Sequence, residues 1–510
     1  MFELRYQTNR KIKKSHQKPL TIKKEKNMKN AQCLENFEDL DTWTFDESKP
    51  YQRRAQRLAA TQFMNLYQKF QNLKIEDFGE KFTKWGFELE TYHLKELSPE
   101  ENNGCRYVEW DQSEYIKKDK TIDFGIDGEY LACMLELIPG EPFKNFLDGI
   151  QILDTFQHMR KTLYHKGRPG SRFFWGAVLP TIGTRCGLEA RGFKDINPEE
   201  LSKKNVITGS RYLDEKLIYS HPRYLTYTRN VLGRKKIKNE DFFELYKDEN
   251  TDFKNVLPNE TQAGVTHIDT SAFGPAQCSL QATFECIDID QAQHVYDQLH
   301  FFTAIFQALA ASTPTVKDKI VTTDNRIEVW ESAINDERTS RERPIEFMAG
   351  QGFEKSRVSP FNYYISKMSK KMRGVYNDRR YTINIKQKRY LKKLAKERGL
   401  EIDEDLLNHV AYNLVRQAIH LTDESMLDQK EDSTDMFELF NGSNWNDLRF
   451  KPPPSLDSDI GWRVEFRSMD AQVNPEQNFL FCHAVLILFR LVTDSSLNLN
   501  FMVPISKVIY

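Results

Sequence analysis

The sequence predicts an α+β fold built on a curved antiparallel sheet. Four short segments alternate apolar and polar residues with period two, the pattern of strands buried on one face. Two long segments instead repeat their apolar residues at helical spacing. The chain is also long enough for a substantial core, with 510 residues of which 39% are hydrophobic.

Residues 1–41 stand apart from the body, 42–510. The first thirty carry ten Lys or Arg against two acids, so this extension is expected to be disordered. A mitochondrial address is the weaker reading, because the stretch is rich in Lys rather than in Arg and Ser. A helix follows over about 51–72, with Leu58, Phe63, Leu66, Tyr67 and Phe70 near one face. In KWGFELETY (84–92), Phe87 and Leu89 alternate with Glu88 and Glu90, which puts both glutamates on one face of a strand. In MLELIPG (134–140), Glu136 lies between Leu135 and Leu137, and Pro139-Gly140 ends the strand. Glu129 lies seven residues earlier, an odd offset that on one continuous strand would point it the other way. It joins Glu136 only from a turn, which Gly128 permits.

The third strand is CSLQATF (278–284), with Leu280, Ala282 and Phe284 on one face and Ser279, Gln281 and Thr283 on the other. A helix is predicted over 288–313, opened by Asp288 or Asp290 and closed near Thr313-Pro314. Val295, Leu299, Phe302, Phe306 and Leu309 are its core residues; His294 and His300 read as packing or solvent positions, not a metal pair. The stretch IEVWESAINDERT after Arg326 reads as a loop. Residues 367–398 hold thirteen Lys or Arg and read as a solvated helical insertion spanning about 367–420. That is preferred to a nucleic-acid patch in which Tyr381 and Tyr390 stack bases.

Near the end, FKPPPSLDSDI contains three prolines that cannot join a helix or a central strand. This extended arm delivers the fourth strand, GWRVEFR (461–467). Trp462, Val464 and Phe466 line one of its faces, and Arg463, Glu465 and Arg467 the other. The competing reading is a solvated face with cross-strand ion pairs. Against it stand the other three strands, whose polar faces would converge with this one on a pocket of oxygen ligands suited to a hard cation such as Mg2+. The apolar stretch FLFCHAVLILFRLV (479–492) is interrupted by Arg490 and reads as a buried helix.

Composition excludes several classes. Seventy-three basic and 74 acidic residues give a net charge of −1, so no global field draws the chain to nucleic acid or membrane. No run of about 18 apolar residues marks a membrane span. Seven cysteines without a CxxC pair fit a reducing cytoplasm. There is no GxxxxGK[ST] loop, HExxH, GxSxG or kinase signature.

The blocks WGFELE, MLELIPG, SAFGPAQCSLQATF, LTYTRN and FKPPP…SDIGWRVEFR, in this order and spacing, resemble the eukaryotic-type glutamate–cysteine ligase catalytic subunit over roughly residues 42–510. The resemblance implies a glutamine synthetase-like fold, a sheet curled into a funnel-shaped active site with helices outside. It implies ATP-dependent joining of the glutamate γ-carboxylate to the cysteine amine through a γ-glutamyl phosphate, the first step of glutathione synthesis. Mg2+ is the implied metal, with Mn2+ as a substitute, ATP the co-substrate, and a modifier subunit a partner. Carried over by position, the metal ligands are Glu88, Glu90, Glu129, Glu136, Gln281 and Glu465. Lys84, Lys451 and Arg463 would lie near the nucleotide phosphates, and Arg467, with Glu465, where charge develops in phosphoryl transfer. Arg326 would hold the glutamate α-carboxylate, with Ser279 beside the substrate. An ATP enzyme without a phosphate loop binds its nucleotide through metals and side chains, which agrees with this set.

The chain departs from the family pattern in four places, one of them the stretch after Arg326, which is one residue longer. Phe87 stands where the family has Asp, and Ser279 replaces a cysteine beside the retained Cys278. The sequence also stops at Tyr510, where relatives continue through a further helical segment. Phe87 changes the hydrophobic face rather than the ligand face and is expected to be tolerated. Ser279 and the missing C-terminal segment are the support for the alternative, a catalytically weak relative that binds ATP or amino acid and acts through partners.

Overall fold

A computed structural model of the protein describes residues 40–503 except 76–83, 102–105, 110–113, 145–147, 194–195, 236–239, 252–263, 335–355, 360–362, 368–369, 378–384, 495–496 and 498. The predicted N-terminal extension and Tyr381 thus fall, the first almost wholly, outside the described residues.

Eight strands form one antiparallel sheet: β1 (Trp85–Glu96), β2 (Tyr107–Glu109), β3 (Gly125–Gly128), β4 (Met134–Ile138), β5 (Ser171–Phe174), β6 (Ser279–Glu285), β7 (Leu448–Lys451) and β8 (Arg463–Asp470). The order is β7-β8-β6-β1-β4-β3, with β2 and β5 pairing to the far end of β1. The α+β prediction therefore holds, and the four strands read from sequence are consecutive neighbours in the sheet.

Alternation fixes its two faces. Phe87 pairs with Ala282, and Phe466 with Ala282 from the other side, giving an apolar face that must be covered. The helices that matter here are α1 (Gln52–Phe70), α2 (Asp148–Lys166), α3 (Ile289–Leu309), α4 (Arg326–Ile334), α5 (Ile385–Glu397), α6 (Glu404–Val415) and α7 (Pro475–Thr493). Three of them cover that face through aromatic contacts. Phe87 stacks on Phe156 of α2 at 4.1 Å, Phe284 on Phe489 of α7 at 4.7 Å, and Phe466 meets Phe306 of α3 edge-on at 5.3 Å. Each such ring contributes about 1.5–3 kcal/mol by burial, and the pair geometry roughly 0.5–1.5 more.

The proline arm is tied down at both ends. Arg463 donates to the Pro452 carbonyl at 2.7 Å, and the fully buried Trp462 indole donates to Phe70 of α1 at 3.0 Å. At Gly461 a Cβ would come within 2.6 Å of the Ile75 Cδ1 methyl, so any larger residue would oblige that side chain to shift.

Several expectations change in detail. α3 does begin after Asp288, whose side chain caps it, but it ends at Leu309 rather than near Thr313, and Leu309, its last residue, is 66% exposed rather than core. His294 and His300 are buried packing residues. The described part of the stretch after Arg326, to Ile334, is helix α4 rather than a loop, and its remainder lies outside the described residues. α7 by length and composition could cross a membrane, yet its Cys482, Val485 and Phe489 side is buried against the sheet and neighbouring helices. It is buried on that side alone, with Leu480 62% exposed. In the basic region, α5 packs on α1 and α6, Lys392 pairs with Glu404 at 3.2 Å, and Tyr390 lies under the Arg57 guanidinium. Cys133, Cys278, Cys286 and Cys482 are buried thiols, whereas Cys186 is disulfide-bonded.

Candidate active site

The polar face of the sheet is organised in cross-strand rungs, since residues paired in register share a face. Lys84, just before β1, accepts from the Glu285 N–H at 2.8 Å and donates its own N–H to the Glu285 carboxylate at 3.3 Å; Glu285 is opposite Arg463, and Arg463 opposite Lys451. One rung on, Thr283 faces Glu465, and Glu465 faces Arg449. Next, Glu88 faces Gln281, and then Glu90 faces Glu136, which faces Asp127 of β3. Cations gather on β7 and β8, and carboxylates on β1, β4 and β3.

Glu465 is the hub of the cationic side. Its carboxylate is 1% exposed and lies 2.8 Å from Lys451, 3.0 Å from Arg449 and 2.8 Å from Arg467. Burial would push its pKa up, but Lys451, Arg449 and Arg467 together hold it well below the usual carboxylate range. Burial in turn lowers Arg449 to about 10. Arg467 stays above its ordinary value despite burial because of Glu465, Glu88 and Glu90.

The carboxylate side forms a tighter group. Glu90, Glu129 and Glu136 bring ligand oxygens within 4.8 Å of one another. Glu129 reaches them from the turn after β3, its N–H donating to the Met134 carbonyl, while Gly128 itself is the last residue of the strand. Burial raises the Glu90 pKa, an effect opposed by Arg326, Ser279 and Arg467. Three clustered carboxylates with hard oxygen donors fit a divalent cation. Gln281 joins the two sides: its Oε1 accepts from Arg467, and its Nε2 lies 3.4 Å from Glu90 and 2.9 Å from the Ser279 hydroxyl. Ser279 donates its backbone N–H to Glu90 at 2.7 Å, so its polar groups serve neighbouring side chains.

Arg326 opens α4 and is 1% exposed. Its Nε lies 3.3 Å from Asp470, its Nη2 donates to the Arg467 carbonyl at 3.1 Å, and Trp330 lies 5.4 Å from it. The structure thus brings every predicted site residue onto or beside one sheet face, with Lys84 at its edge. It divides the six predicted ligands: Glu90, Glu129 and Glu136 cluster together, while Glu465 is engaged by three cations.

Three residues escaped the sequence reading. Arg449 was visible in LRFK, where it alternates with Phe450 exactly as Lys451 does. Asp127 was visible in GIDGE, two residues before Glu129. Asp470 was hidden, because a bulge between Phe466 and Met469 shifts the register and reverses the alternation beyond it.

The family described as glutamate-cysteine ligase matches residues 37–510. The glutamate–cysteine ligase catalytic subunit of Mus musculus is 30% identical over 485 residues, covering 91% of this chain and 72% of the mouse protein. The glutamate–cysteine ligase of Schizosaccharomyces pombe is 32% identical over 397 residues, covering 74% of this chain and 56% of the relative. That of Saccharomyces cerevisiae is 27% identical over 478 residues, covering 83% and 69%.

Proposed function

The chain belongs to the glutamate–cysteine ligase family, and from that premise we propose that the polar sheet face activates the glutamate γ-carboxylate with ATP and joins it to the cysteine amine. The observation that carries this reading is the juxtaposition, on one face, of the Glu90–Glu129–Glu136 cluster and the cations around Glu465, with Gln281 between them.

A carboxylate does not accept an amine directly, because its oxygen is a poor leaving group. In the proposed reaction a γ-carboxylate oxygen attacks the γ-phosphorus of ATP and ADP leaves. The cysteine nitrogen then attacks the acyl carbon, phosphate leaves, and the amine loses its proton. Glu90, Glu129 and Glu136, with Glu88 and Gln281 alongside, would hold Mg2+ or Mn2+, which when bound screens the nucleotide phosphates and orients the transferring group. Lys451, Arg463 and Lys84 line the edge where the phosphates would run. Arg467, held in place by Glu465, would face the charge that develops on the transferring phosphoryl group. Arg326 would take the α-carboxylate of glutamate, and Ser279 fixes Glu90 beside it. A glutamine synthetase-like funnel is the architecture this reading expects, and the name of the mouse relative, a catalytic subunit, supports a second subunit as partner.

The test is ADP release by the purified chain with Mg2+, ATP and glutamate, with and without cysteine. Cysteine-dependent release, with γ-glutamylcysteine seen by mass spectrometry, is the expected result. No release from folded, ATP-binding protein would point instead to the non-catalytic alternative.

A further inference from the structure

We propose that Asp470 is the positioning residue that aims Arg326 and thereby sets the affinity for the amino-acid substrate's α-carboxylate; this rests on the reading of Arg326 given above. Asp470 reaches the polar face only because of the bulge after Phe466, which places it across from Ser279, in the rung of Glu90. Without that bulge, strict alternation from Glu465 and Arg467 would turn it into the apolar face.

The carboxylate is 1% exposed, a placement that is costly unless the charge is paired and its lone pairs filled. The charge is paired, and the lone pairs of one oxygen are filled. One oxygen lies 3.3 Å from Arg326 Nε, and the other accepts from the Ser312 N–H at 3.0 Å and the Thr313 hydroxyl at 2.8 Å. The acid is therefore clamped by the segment following α3, and the arginine is clamped by the acid. A second contact fixes the plane of the guanidinium, since Nη2 donates to the Arg467 carbonyl at 3.1 Å. Trp330, one turn along α4, lies 5.4 Å from its face.

Arg467 thus holds Arg326 with its backbone while its side chain engages Glu465 and Gln281. The α-carboxylate anchor and the phosphoryl-transfer centre are registered to one another through a single strand. Orientation of this kind acts on binding of one substrate, because a planar donor fork discriminates by angle as well as distance.

The experiment uses the full chain with steady-state kinetics for all three substrates. In Asp470→Asn, the KM for glutamate is expected to rise at least about tenfold while those for ATP and cysteine stay within about twofold. In an Arg326→Lys background the same substitution should add less than about twofold, because the two residues act as one unit. Thr313→Val keeps the charge and removes one clamp, so it should raise the glutamate KM by a smaller factor and serves where Asp470→Asn fails to fold. An unchanged glutamate KM, an equal rise for all three substrates, or a fully additive cost with Arg326→Lys would overturn the proposal. Wild-type chain that makes no γ-glutamylcysteine would instead remove the underlying reading, and this inference with it.

Discussion

Replacing Glu465 by Gln removes one charge from the centre of the cationic cluster with almost no change in shape. Three cationic nitrogens lie within 3.0 Å of that buried carboxylate. At an effective dielectric constant of about 20 and charge separations of about 4 Å, each pair carries roughly 4 kcal/mol of attraction. Most of that offsets the desolvation of four buried ions, and deleting one partner of such a group typically costs about 3–5 kcal/mol. The variant is therefore expected to fold but to lose about that much stability in urea unfolding. Its turnover should fall at least about a hundredfold, the scale for losing one preorganised electrostatic group. Because the folded pKa of Glu465 is depressed, its contribution is complete above the unfolded value and lost only as pH falls through the folded one. The stability gap between wild type and variant should thus be the same at pH 7 and pH 6. Inorganic triphosphate should stabilise the variant more than the wild type, since three cations there lack their counter-charge. Near-wild-type turnover with an unchanged urea midpoint would refute the reasoning.

Other perturbations test separate parts of the site. Arg326→Lys should raise the glutamate KM more than the ATP KM, because Lys cannot present a planar fork; equal changes would remove its substrate role. Glu136→Gln should raise the Mg2+ concentration needed for half-maximal activity, and an unchanged requirement would detach Glu136 from the metal. Phe87→Asp should destabilise this chain by at least about 3 kcal/mol, since the ring is buried against Phe156 and Phe143; a neutral effect would contradict that packing. Burial lowers the pKa of His409 to about 4, so its contribution to stability is intact above the unfolded value near 6.5 and is lost as pH falls toward 4. His409→Gln should accordingly flatten the fall in urea midpoint between pH 7 and pH 5, and an unchanged slope would show that another group causes it.

Period two explains why so much of the site could be read in advance. Glu88, Glu90, Gln281, Arg463 and Glu465 all lie on stretches of strand that alternate without interruption, so a face assignment from sequence survives into the sheet, and Arg467, at the start of the β8 bulge, still keeps its side chain on Glu465. The same rule fails at Asp470, where one extra residue in β8 reverses the faces. No composition signal marks that bulge. Arg326 lay beyond the rule for a different reason. Its segment opens a helix whose buried residues, Val329 and Ala333, are too few to give a clear helical stripe. The exposed Leu309 and Leu480 show the converse limit. Apolar spacing marks the helix, but not which of its residues meet a neighbour.

The central claim is that this sheet face activates the γ-carboxylate by phosphorylation. Glutamate labelled with 18O in its γ-carboxylate tests it most directly, using the full chain with Mg2+, ATP and cysteine. The account predicts one labelled oxygen in the inorganic phosphate for each γ-glutamylcysteine formed. Product that accumulates while the phosphate stays unlabelled would contradict it.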